Sequence, residues 1–408
     1  MFQQGPILVV SSGPFPSTAA LLDKAQLFPV IETDWADAVR AVAQTQPAAI
    51  IVSATEISGP GLAELAECIA PLQPYLPLIA TDPVGALPDT VIPVQTLGNS
   101  ARLIARLRVA LRVRALHATV MRRLDSVTAC PMLADIEPAR DATVLLIGRG
   151  AAYPTLSVSL GEQIGLVGAL SIEAAAKHLN SRDLDGIVLG EGFSLRVMDA
   201  FLTVLMEDSR FRNMPVVMTS DELAPAYDLP NLEICAADPA RVVAVALPLI
   251  RQHAFESHLG RTLRSIDAEG LVDPHTGLLT SVAFDRDFAT SVYQMQERGG
   301  GLSVARFAFD PLHSRARFDG ARIISRLMRK MDFGALQEDG SVIVVFADTD
   351  LRNAHMIARR LSSVMRHTSH GRREARAEPA VTVATLLPAD SAKSLLARLC
   401  DGGRRAAS

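Results

Sequence analysis
At 408 residues the chain is longer than a single hydrophobic core usually grows, so two or three domains are expected. Hydrophobic residues make up 49% and charged residues 21%, an ordinary globular balance, and the net charge of −4 argues against broad electrostatic capture of nucleic acid. Cys68, Cys130, Cys235 and Cys400 stand far apart, with no C-x-x-C and no clustered histidines, which argues against a zinc site and fits reduced thiols.

In chain order, the N-terminus has no basic start leading into an apolar run, and no stretch approaches the roughly 20 apolar residues of a membrane helix. A cytoplasmic protein with no membrane partner is expected. Pro6-Ile-Leu-Val-Val10 reads as a strand and Ser17-Thr-Ala-Ala-Leu-Leu22 as a capped helix start. Ala48-Ala-Ile-Ile-Val52 and Leu76-Pro-Leu-Ile-Ala80 are further strands, and residues 103–111 are a helix with one apolar face. Uninterrupted apolar strands of this kind fit a parallel sheet covered on both sides.

The order then repeats. Thr143-Val-Leu-Leu-Ile147, Asp185-Gly-Ile-Val-Leu189, Pro215-Val-Val-Met218 and Leu232-Glu-Ile-Cys235 read as strands, and residues 241–251 as a closing helix. Residues 126–141 lack periodicity and carry two prolines, so they are expected to form a linker. Residues 250–270 read as a helical connector into a third domain. The expected domains are 1–125, 126–141 as linker, 142–255 and 256–408, an α/β chain with two doubly wound, flavodoxin-like domains ahead of the third.

The third region carries the most specific residues. Asp273-Pro-His-Thr-Gly-Leu278 is followed by Arg329-Lys-Met-Asp332 and, after five further residues, Glu338-Asp-Gly-Ser-Val342. This resembles the GGDEF (nucleotidyl-cyclase-like α/β) domain of diguanylate cyclases, in which a D-x-L-T-G-L turn opens the domain. There an R-x-x-D inhibitory site precedes the G-G-[DE]-E-F hairpin at that spacing. The whole order resembles the receiver–receiver–GGDEF regulators of PleD type.

The resemblance implies where chemistry has gone. A receiver needs an acid pair for Mg²⁺, a phosphoacceptor Asp and a Lys. Ser11, Ser12 and Ser53 stand at the first three of these positions in the first repeat; Gly148, Arg149 and Gly190 do so in the second, where Asp238-Pro239 replaces Lys-Pro. Thr81 and Thr219 fall at the switch position, and Glu56 and Glu191 lie near the pockets as solvated loop carboxylates or phosphate mimics. In the third domain, Ala308 falls at the first-strand metal position and Gly340 and Ser341 at the two hairpin acids. Glu338 and Asp339 replace the glycines that admit a phosphate. No catalytic residue, metal or cofactor is expected, and the protein is read as a non-enzyme.

The ligand positions survive. As a bare string R-x-x-D means little, because Arg122/Asp125, Arg182/Asp185, Arg196/Asp199 and Arg264/Asp267 repeat it. Only Arg329/Asp332 is read as ending the helix before the hairpin, the pair projecting at i, i+3 from neighbouring points of its surface, while Ile323, Ile324, Leu327, Met328 and Met331 form its apolar face. A guanidinium can bond guanine O6/N7 and a carboxylate can accept from its N–H groups. Counting through the hairpin puts Arg360 at the family's second arginine position, with Arg359 beside it. The expected ligand is therefore cyclic di-GMP, held by Arg329, Asp332, Arg360 and Arg359.

Within this architecture the chain is most similar to PopA-type effectors, which implies recruitment to the cell pole, protease-adaptor partners in cell-cycle control and a homodimer through the receiver domains. A nucleotide-independent scaffold and a residual cyclase are the alternatives. Residues 366–376 are read as a solvated basic loop or a surface for an acidic partner.

Overall fold
The computed structural model describes residues 5–11, 18, 22, 29–53, 60–83, 87–96, 100–125, 142–219, 227–310, 314–366, 368–369 and 379–406. The expected linker, Ser12, Glu56 and nearly all of the first expected helix lie outside them. The fold is α/β. Strands β1 (Ile7–Val10), β2 (Val30–Thr33), β3 (Ala49–Ser53), β4 (Leu78–Thr81) and β5 (Val91–Val94) form a parallel sheet in the flavodoxin-like order β2-β1-β3-β4-β5. Helices α1 (Ala38–Thr45), α2 (Pro60–Ile69) and α3 (Ser100–Asp125) accompany it. Alternate residues of one strand enter opposite faces: Ile7 and Val9 join Leu103 and Leu107 of α3, while Leu8 and Val10 join Leu62 and Leu65 of α2. Burial on both faces is why these strands read as continuous apolar runs.

The second set runs β6 (Thr143–Ile147), α4 (Tyr153–Gly161), β7 (Gly165–Ala169), α5 (Ile172–Ser181), β8 (Gly186–Leu189), α6 (Leu195–Glu207), β9 (Val216–Met218), β10 (Leu232–Ile234) and α7 (Pro239–Asp267). Thus the expected closing helix and connector are one helix. The third set is α8 (Ser281–Arg298), β11 (Leu302–Ala308), α9 (Ser314–Leu327), β12 (Phe333–Leu336), β13 (Val342–Ala347), α10 (Leu351–Met365), β14 (Thr368–Ser369), β15 (Ala380–Thr385) and α11 (Ala392–Ala406). Its antiparallel sheet has the order β12-β13-β11-β15, and the middle sheet has the order β10-β9-β8-β6-β7-β14. The short strand β14 therefore corrects the solvated-loop reading at residues 368–369: it pairs antiparallel with Leu166 and Val167 of β7 and closes that sheet edge.

The chain packs as two compact units: residues 1–129, 146–159 and 185–259 form one, and residues 130–145, 160–184 and 260–408 the other. In the first unit, Arg106 of α3 is 1% exposed and Glu233 of β10 is fully buried, and they pair at 2.7 Å. The rest of the Arg106 guanidinium donates to the carbonyls of Pro93 and Pro230, and the Gln95 amide donates to Glu233. The edges β5 and β10 are tied by side chains rather than by a ladder. In the second unit, Ala305 and Phe307 pack on Ile323 and Ile324 of α9, while Val304 and Val345 face Phe284 and Phe288 of α8. Among the described residues no helix is long and apolar enough to cross a membrane.

Candidate functional site
The 329–332 turn is built by the end of α9 and the start of β12. The helix stops at Leu327, and the Asp332 amide donates to the Arg329 carbonyl at 3.0 Å. This corrects the expectation that Arg329 and Asp332 project from the helix: they flank a turn just beyond it. Ile323 and Ile324 are fully buried as expected, but Met331 is 58% exposed because it sits in this turn.

The two charged residues are in different environments. Asp332 is buried, and its Oδ1 accepts from the Ala347 amide at the end of β13, at 3.2 Å. Burial pushes its pKa above the ordinary carboxylate value by more than the Ala347 and Arg329 amides and the Arg329 charge draw it down. Arg329 is exposed and, among the described residues, makes no side-chain hydrogen bond or ion pair. The turn thus presents an uncommitted guanidinium beside a fixed carboxylate.

Arg359 and Arg360 are both exposed on α10 and likewise uncommitted among the described residues. They point about 100° apart on the helix. Arg359 lines a depression of about 550 Å³ with Ser362, Ser363, Arg366, Pro379 and Val381. Val381 belongs to β15, the edge opposite β12, so Arg359 faces away from the strand that the 329–332 turn enters. Arg360 does not line that depression. The expected four-residue set is therefore divided: Arg329 and Asp332 adjoin, and Arg359 opens on a different surface.

The hairpin between β12 and β13 is closed by residues 337–341, where Gln337 donates to the Ser341 carbonyl at 2.8 Å. Gly340 has φ +81°, and a Cβ there would stand 3.1 Å from an Arg317 nitrogen. Asp339 accepts from the Ser341 hydroxyl at 2.6 Å and pairs with Arg306 of β11 at 2.7 Å; Arg306 also donates to the Ser341 hydroxyl at 3.1 Å. Burial raises the Asp339 pKa, but the Ser341 and Arg306 hydrogen bonds outweigh it and leave the group below the ordinary value. Arg306 was missed in the sequence. Its signal is an arginine inside the apolar run Leu302-Ser-Val-Ala-Arg-Phe307.

The D-x-L-T-G-L-like turn is structural. Asp273 accepts from the amides of His275 and Thr276 and from the Thr276 hydroxyl. Gly277 has φ +72°, with Ser325 of α9 donating to its carbonyl. In the two flavodoxin-like domains, Thr81 and Thr219 are buried and donate to the carbonyls of Val52 and Leu189. The Arg149 guanidinium donates to the Gly192 carbonyl and lies 4.9 Å from the Phe193 ring centre. Asp238 accepts from the Arg241 amide and so caps α7, with Pro239 in the first turn. Among the described residues no three His, Cys, Asp or Glu side chains converge to hold a metal ion.

No family model matches the chain, and no curated protein matches it. Among solved structures the chain is similar to the coiled-coil and GGDEF domain of DgcB from Caulobacter crescentus in complex with c-di-GMP. Identity is 17%, over 36% of this chain and 85% of that one, with a TM-score of 0.31. It is also similar to the GGDEF domain of FimX from Pseudomonas aeruginosa, at 18% identity over 34% and 93% of the two chains and a TM-score of 0.31. A sensory box/GGDEF family protein from Caulobacter crescentus shares 21% identity over 33% and 97%, with a TM-score of 0.30.

Proposed function
We propose that the third domain is a GGDEF-type domain that binds cyclic di-GMP at the 329–332 turn without synthesising it, and that the two flavodoxin-like domains are receiver-derived docking modules. The observation that carries this reading is the uncommitted Arg329 guanidinium beside Asp332, ahead of a hairpin whose acid positions are vacant. Arg329 would bond the Hoogsteen edge of one guanine and stack on its neighbour, and Asp332 would accept from N1–H and N2–H₂. Arg360 fits a second contact better than Arg359, whose surface lies on the β15 side.

Cyclase chemistry needs carboxylates holding metal ions that activate a ribose hydroxyl. Ala308, Gly340 and Ser341 supply none, and Arg306 bonds to the residue aligned with the second acid. Asp339 and Glu338 set negative charge where a triphosphate would approach. In the flavodoxin-like domains, Ser53, Gly190 and the helix-capping Asp238 offer neither phosphoacceptor nor counter-cation. These domains act by contact, and the PopA-type resemblance suggests delivery of partners to a protease. The edges β5 and β10 are already engaged through Arg106 and Glu233, so a homodimer would use other faces.

The burial of Asp332 against the Ala347 amide favours a second reading, a scaffold that binds no nucleotide. Equilibrium dialysis with cyclic di-GMP separates them: saturable one-site or two-site uptake supports the effector, and none supports the scaffold. Pyrophosphate release from GTP with Mg²⁺ would contradict both.

A further inference from the structure
The helix that delivers Arg329 is held along its other face by a segment from far upstream in the chain. Arg315, Asp319 and Arg326 fall on one stripe of α9 at i, i+4 and i+11, alongside Ile323 and away from Ile324. Within the same compact unit, that stripe meets residues 163–183. Arg315 donates to the Gln163 carbonyl at 3.5 Å. Arg182, 1% exposed, pairs with Asp319 at 3.2 Å and also donates to the Val364 carbonyl of α10. Arg326 pairs with Asp183 at 2.5 Å and donates to the Leu179 and Asn180 carbonyls, each at 3.3 Å. Those carbonyls belong to the last turn of α5, whose negative dipole end favours a cation there.

We propose that Asp183 and Arg182 are positioning residues of the dinucleotide site. Arg326 is three residues from Arg329, so the clasp on Asp183 and the α5 carbonyls fixes the end of α9 from which the turn departs. Arg182 joins α9 to α10, the helix that bears Arg360, and so sets the spacing of the two arginines. A site held this way binds more tightly because less ordering is left to the ligand. By linkage, bound ligand must hold residues 172–184 more firmly in return. Residues 172–184 thereby become the place where occupancy is read out.

This inference rests on the ligand assignment above, and the test keeps the two apart. Calorimetric titration of the full chain with cyclic di-GMP is run on wild type, Asp183→Ala, Arg326→Ala and the double variant, with hydrogen exchange of the wild type alongside. Each single variant is expected to weaken binding by about fivefold or more. The double variant should bind no worse than Arg326→Ala, because both changes remove one interaction. Ligand should slow exchange in residues 172–184 of the wild type, a reading that needs no variant to fold. Wild-type binding that is unaffected by Asp183→Ala, with unchanged exchange at 172–184, overturns this inference alone. Absence of wild-type binding overturns it together with the ligand assignment.

Discussion

At the scale of single residues, the account depends on Asp332 carrying its charge when ligand arrives. Burial raises its pKa above the ordinary value of 3.8, so the folded protein holds that proton more tightly than the unfolded chain does. Between 3.8 and the raised pKa the folded state binds more protons than the unfolded one. The Asp332 contribution to stability is therefore full below the unfolded pKa and falls as pH rises through the folded one. Ligand binding runs the other way, because only the carboxylate accepts from guanine. Cyclic di-GMP affinity should hold near neutrality and fall, as acid is added, at a pH above the ordinary aspartate value. Titration across pH should show that inflection in wild type and lose it in Asp332→Asn, which binds weakly throughout.

Among single residues, sequence reading reached the ones whose address could be counted from a motif and stopped at those that long-range packing defines. The positions of Arg329 and Asp332 follow from their spacing to the hairpin. The burial of Asp332 does not, because the Ala347 amide that holds it comes from the far strand. Arg359 and Arg360 are neighbours in sequence, and only the position of α10 between β15 and α9 separates their surfaces. Asp183 and Arg326 are far apart in the chain, and no local pattern announces them as partners.

At the scale of elements, the hairpin shows why lost catalysis is not one substitution from recovery. Gly340 aligns with an acid of the cyclase signature yet has φ +81°, which a side chain adopts only at a cost. Gly340→Glu should destabilise the protein by about 1–2 kcal/mol, read as a lower midpoint in urea, and should yield no product from GTP. The strands themselves were legible where burial on both faces makes a continuous apolar run, as in β1, β3 and β6. Strands β2, β5 and β7 were not read: Val30-Ile-Glu-Thr33 is an edge, Val91-Ile-Pro-Val94 contains a proline, and Gly165-Leu-Val-Gly-Ala169 contains two glycines. The two-residue β14 has no sequence signal, since only the exposed edge of β7 makes it a strand.

At the scale of the whole molecule, buried charge does the joining that hydrophobic patterning does elsewhere. Arg106 interrupts the apolar face of α3, and Glu233 interrupts the strand Leu232-Glu-Ile234, the only visible hint that each has a partner. Burial weakens the hold of Arg106 on its proton and raises the Glu233 pKa, while each opposes the other's shift through charge attraction. Glu233→Ala leaves Arg106 charged and unpaired in the interior of its unit. Denaturant unfolding should show a loss of about 3–5 kcal/mol, and replacing both residues by apolar ones of similar volume should recover most of it. A loss below about 1 kcal/mol would mean that the edges β5 and β10 are held by something else.

The most direct test of the central claim is calorimetric titration of the full chain with cyclic di-GMP, comparing wild type with Arg329→Ala and Arg359→Ala. The account predicts micromolar binding, about −8 kcal/mol, for wild type. It predicts a loss of roughly tenfold or more in Arg329→Ala, where a charge-assisted contact is removed, and wild-type affinity in Arg359→Ala. No binding to wild type, or equal binding to wild type and Arg329→Ala, would contradict it.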